Sequence, residues 1–159
     1  MSFSNNFMCT SFKAELMQAV HNFSTSGGNT FKLALYTNTA VPTDFGGSGS
    51  IMNNTITTYN STNEVPNSGS GSNPYAAGGG TLTNVTPQGS GTVGFTDFAD
   101  LTFTTATITA RGAVIYNDTP AGNPAVCVLD FASDKTSTAG DFKIVFPAFT
   151  TSDAIIRIE

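Results

Sequence analysis

The chain of 159 residues has no tryptophan, a single histidine and two cysteines, and charged residues make up only 11% of it. The shortage of histidine excludes most. A serine hydrolase of the usual kind would need His21 as its base and a G-x-S-x-G elbow for its nucleophile, and the sequence has no such elbow. A zinc site would have to join His21 to remote ligands from a very small pool, so His21 reads as an ordinary helix residue beside Val20. Cys9 and Cys127 lie far apart among apolar neighbours, which predicts two buried free thiols. No apolar run approaches the ~18 residues of a membrane-spanning helix. The start MSFSNNFMCTSFK lacks both the basic region and the apolar stretch of a secretory leader, which predicts synthesis in the cytoplasm and no membrane segment. Gly78-Gly79-Gly80 and the Gly-Ser runs lack the context of a nucleotide-binding loop.

Positive charge is also sparse. Lys13, Lys32, Arg111, Lys135, Lys143 and Arg157 are scattered against eleven Asp and Glu, for a net charge of -5. They form no phosphate-tracking stripe, which argues against nucleic acid as a partner. A usual charged share is about a quarter. The deficit fits either a Thr- and Asn-rich β surface or a surface covered by neighbouring proteins, where hydroxyls and amides are easier to desolvate than charges.

What is present reads as mainly β. Phe12, Leu16, Ala19, Val20 and Phe23 recur at helical spacing and predict one short helix from Phe12 to Phe23, ended by the Gly27-Gly28 region. Phe31 to Thr37 alternates as a central strand. Asn38 to Gly80 differs: Pro42, Pro66, Pro74 and two Gly-Ser runs predict long loops, either functional arms or mobile segments. Short strands then follow at Thr81 to Thr86, Val93 to Phe98, Leu101 to Ala110, Ala113 to Tyr116 beyond a bulge at Arg111-Gly112, Ala125 to Phe131, Asp141 to Phe146 and Ala154 to Glu159, with Ser133 to Gly140 as a turn. The expected fold is a β-sandwich, a jelly-roll-like fold or a partly closed barrel, with one short N-terminal helix and long loops. It forms one domain, 1–159, with an N-terminal arm and helix (1–24) and a long loop region (38–80).

Few residues suggest chemistry. Asp97 with Asp100, and Asp130 with Asp134 and Asp141, could pair as glycosidase carboxylates, but aspartates at strand ends are more often turn acceptors. A structural cation there would lack the D-x-[DN]-x-[DN]-G loop. No catalytic residue, cofactor or metal ligand is assigned, and the chain reads as a non-enzyme. The N-terminal aromatics Phe3, Phe7 and Phe12 are the candidates for subunit contact, with core packing as the alternative for Phe12 and for Phe23. Tyr75 is the candidate anchor of the long loop, and Arg111 the candidate for an ion pair at a strand break.

Leu35-Tyr36-Thr37, Glu64-Val65, Tyr75-Ala76-Ala77-Gly78-Gly79, Thr109 to Asn117 and Val128-Leu129-Asp130-Phe131 together resemble a group of small virion structural proteins of tailed bacteriophages, over roughly residues 31 to 146. In that group a Gly-Tyr step follows the acidic-Val pair closely, whereas here an insertion from Pro66 to Pro74 separates Val65 from Tyr75. The resemblance implies a structural copy on the outer surface of a virion. One form is a capsid decoration or cement protein bridging capsomers, bound to the major capsid protein as a homo-oligomer, with a trimer favoured. The alternative is a tail adaptor, a fibre-associated piece or a host-contacting component bound to tail proteins.

Overall fold

The computed structural model describes residues 2–159. The elements are β1 (Phe7–Met8), α1 (Thr10–Met17), β2 (Phe31–Tyr36), β3 (Gly80–Thr81), β4 (Asn84–Ser90), β5 (Val93–Phe98), β6 (Leu101–Asn117), β7 (Ala125–Ile144) and β8 (Ile156–Ile158), with a 3-10 turn at Pro42–Phe45. They form two antiparallel sheets, one of five strands in the order β1-β7-β6-β2-β3 and one of three in the order β4-β5-β8. Phe31, Leu33, Ala34, Leu35 and Tyr36 are all fully buried, which gives β2 the central place its sequence predicts.

One long hairpin dominates. β6 runs 17 residues and β7 runs 20, joined across 118–124. In the outer half of β6, Ala106, Ile108 and Ala110 are buried while Thr105, Thr107 and Thr109 are exposed, the alternation of a half-buried strand. The register slips at the expected Arg111-Gly112 break: Gly112 faces Asp130 and Ala110 faces Lys135, so two steps on β6 are matched by five on β7. Ser133 to Gly140 is therefore strand and not a turn. Its Ser and Thr residues suit an exposed ribbon, and its irregular residues are absorbed as bulges, with Ala132 and Ala139 at φ 63° and 47°.

The helix is shorter than its apolar spacing predicts. It closes at Met17 in a Schellman motif, where Val20 N donates to Glu15 O (3.0 Å) and Ala19 N to Leu16 O (3.1 Å). Ala19 occupies the left-handed position, φ 58°, that glycine normally fills. Beyond it the chain is extended, so His21 and Phe23 are buried and Asn22 between them is exposed. His21 is thus a buried loop residue, not a helix residue.

The 38–80 region packs onto the body of the fold. Ala40, Phe45, Met52, Ile56, Val65 and Tyr75 all belong to the same buried cluster as the five-stranded sheet. Two glycines mark close approaches onto the five-stranded sheet. A Cβ on Gly79, which sits at φ 76°, would strike Leu33 O, and one on Gly112 would strike the ring of Phe3.

Candidate functional site

Leu35, Glu64, Val65, Tyr75, Gly78 and Tyr116 lie far apart in sequence and meet in one place. β3 pairs with β2 only at Lys32 and Leu33, so the β2 edge would be open at Leu35. The long loop completes it. Val65 N donates to Leu35 O (2.9 Å), and Leu35 N donates to the Tyr75 hydroxyl (2.8 Å), which stands in for a missing strand. That hydroxyl in turn donates to Glu64 Oε1 (2.7 Å), which also accepts from Gly78 N (2.9 Å). The Tyr59 hydroxyl donates to Glu64 Oε2 (2.7 Å).

All four tyrosines of the chain take part. Tyr59 stacks on Tyr116 with ring centroids 4.4 Å apart, and the Tyr116 hydroxyl donates to Gly78 O (2.6 Å). Tyr36 bridges to Glu64 through the backbone and donates its hydroxyl to Asn60 O (2.7 Å). Burial pushes all four phenols above their ordinary range; the Glu64 charge is the next cause for Tyr36 and Tyr75, and its hydrogen bond the next for Tyr59. Tyr59 and Tyr75 remain protonated donors to a carboxylate whose two oxygens are both engaged, while Tyr36 and Tyr116 donate to backbone carbonyls. Such a cluster clamps a loop.

The Pro66 to Pro74 insertion has its own place. β2 covers β6 only from Gly112 to Asn117, which would leave the edge at Thr102 to Thr107 open. The insertion covers it: Thr104 N donates to Asn73 O (2.9 Å), Asn73 Nδ2 to Thr102 O (2.7 Å) and Thr107 N to Ser68 Oγ (2.8 Å).

Tyr75 is thus at the centre of the cluster, while Glu64, Tyr59 and Tyr116 went unread as site residues. Arg111 is buried at the bulge, with Nε 3.5 Å from Asp130 and Nη1 3.9 Å from Asp134. The aromatics expected to meet a neighbouring subunit divide. Phe3 and Phe12 are fully covered by their own chain and have no surface left to offer, because the arm folds back onto the sheet; Phe7 is half-buried on β1, paired with Val128.

The aspartates serve as local acceptors. Asp97 accepts from Phe98 N (2.8 Å), Asp100 holds Lys143 (2.9 Å) and Phe146 N (3.0 Å), and Asp130 accepts from Ala132 N (2.9 Å). Among the described residues no three His, Cys, Asp or Glu side chains are grouped to hold a metal. Both cysteines are free and buried, and burial raises the Cys127 thiol to about 12.

A second polar cluster surrounds His21. Asn117 Nδ2 lies 3.1 Å from His21 Nδ1, and His21 Nε2 lies 2.8 Å from Glu15 Oε2. The ring packs on Phe12, 4.8 Å between centroids. Beside it a groove of about 490 Å³ opens between the end of α1 and the three-stranded sheet, lined mainly by Leu16, Phe23, Phe95, Ile156 and Ile158. Comparison with protein-family models, curated proteins and solved structures finds no match for this chain.

Proposed function

We propose that the chain is a virion structural protein of a tailed bacteriophage that decorates the capsid shell and cements it by bridging capsomers. One observation carries the reading. Glu64, Tyr75, Gly78 and Tyr116, which belong to separate segments of the phage resemblance, form a single hydrogen-bonded clamp, which supports reading those segments as one unit. The clamp holds a long polar loop as a fixed surface, which suits a protein that acts by adhering. In this reading the two sheets are the layers of a sandwich, with Phe98 set between Phe31 (5.6 Å) and Phe146 (5.7 Å). The protein sits on the outside of the shell as a homo-oligomer on the major capsid protein, a trimer where the site has local three-fold symmetry.

The test uses particles that lack the protein. Adding the purified chain should saturate the shell in numbers comparable with the major capsid protein and raise the temperature at which DNA is released. Binding without a gain in heat resistance, or no binding, refutes the cement role. Recovery only with isolated tails would move the protein to the tail.

A further inference from the structure

The open edges of the two sheets are not equally protected. Edge strands invite pairing with other chains, and proteins blunt them with proline, bulges, short length or cover. β4 carries Pro87 and a register slip between Val85 and Gln88, β1 is two residues long, and the insertion covers the free part of β6. β8 has no proline, bulge or covering segment and is blunted only by its three-residue length and the charges of Arg157 and Glu159. Its residues Ile156, Arg157 and Ile158 pair with Thr96, Phe95 and Gly94 of β5. Among the described residues no other backbone group is hydrogen-bonded to the backbone of residues 156–159, and the Arg157 guanidinium donates to Thr151 O (3.2 Å).

The side chains along this edge are self-complementary. Arg157 and Glu159 lie on one face, 3.8 Å apart, and Ile158 is 54% exposed on the other, where it joins the apolar lining of the groove. An antiparallel pairing of two such strands centred on Ile158 sets Arg157 of each opposite Glu159 of the other, and Ile158 opposite itself. Each ion pair then forms twice, and the two isoleucines meet on the apolar face beside the groove. A register shifted by one residue either way would lose both Arg-Glu pairs.

We propose that β8 is a self-association edge, pairing antiparallel with β8 of a second copy about a two-fold axis through Ile158. The contact doubles whatever unit the chain otherwise forms, a monomer to a dimer or a trimer to a hexamer. It does not depend on the virion reading, and shell binding can fail while it stands.

Sedimentation equilibrium over a range of concentrations tests it with charge variants. Arg157→Glu leaves two acids on the edge and Glu159→Arg leaves two bases, so each alone should show half the wild-type mass. Mixing the two should restore the doubled mass, and so should the double exchange within one chain. Restoration on mixing also proves that both variants are folded. Ile158→Cys provides a second readout: mild oxidation should cross-link it many times faster than Val145→Cys, a control that is more exposed, at 68% against 54%, while native Cys9 and Cys127 stay buried. Equal masses for wild type and both single variants, failure of mixing to restore the larger species, or equal cross-linking at 145 and 158 would overturn the proposal, whether the edge is then free or taken by another protein.

Discussion

Replacing Tyr75 with Phe removes one oxygen from the clamp and leaves the ring, which packs edge-on against Phe103 at 4.8 Å, in place. Two costs follow from the geometry. The Leu35 N–H, fully buried, loses its only partner on that side, a penalty of about 1–3 kcal/mol for an unsatisfied buried donor. The hydroxyl's bond to the Glu64 carboxylate, 2.7 Å long, also disappears, and a hydrogen bond to a charged group contributes about 1.5–3 kcal/mol. Glu64 keeps Gly78 N and the Tyr59 hydroxyl, so part of the second loss is recovered, and the net destabilisation should be about 3 kcal/mol. In a chain of 159 residues that lowers the midpoint of thermal unfolding by about 6–12 °C. Tyr36→Phe is the control: it removes one bond to the half-buried Asn60 carbonyl and should cost about 1 kcal/mol. Glu64→Gln combined with Tyr75→Phe should cost less than the sum of the single changes, because both break the same contact. A Tyr75→Phe midpoint indistinguishable from wild type, by calorimetry or circular dichroism, would refute the clamp.

Three further outcomes are expected. Phe3→Ala should destabilise the monomer by about 3–5 kcal/mol in denaturant titration, the cost of a core cavity, because the ring is fully buried against Gly112. Ala19→Gly should stabilise by about 0.5–1 kcal/mol by relieving the left-handed residue that ends α1, read as a higher denaturant midpoint. Burial raises the Asp97 carboxyl above its ordinary 3.8, and its Oδ2 has no partner. The native state therefore keeps a proton that the unfolded chain has lost, so this residue's contribution to stability falls as pH rises from 3.8 through the raised value. Asp97→Asn should remove that slope and gain about 1 kcal/mol at neutral pH, measured as unfolding free energy against pH.

The strands were legible wherever side chains alternate against a single core. The outer half of β6 shows that pattern plainly, and Phe31 to Tyr36 was legible instead as a strand apolar on both faces. The end of α1 was not, because Phe23 falls on the helical stripe while the chain that buries it is extended, and an alanine occupies the stop position where glycine would have signalled it. Ser133 to Gly140 has turn composition, and only pairing with β6 makes it strand. The long loop lacks periodicity because its buried residues, from Phe45 to Tyr75, each answer a different part of the sheet. Tyr75 could be read as an anchor from its place beside three glycines. Glu64 gave no local sign of its role, since its partners come from positions 59, 75 and 78 and the aromatic wall behind them from 116. An aromatic ahead of the first helix serves equally well as a tether or as a core plug; Phe3 is fully buried, with its ring where a side chain at position 112 would stand.

Low-resolution imaging of intact particles with and without the protein tests the proposed role most directly. A shell-decorating protein predicts added density repeated over the outer capsid surface at local three-fold positions, and none on the tail. Density confined to the tail, or particles identical in both samples, would contradict it.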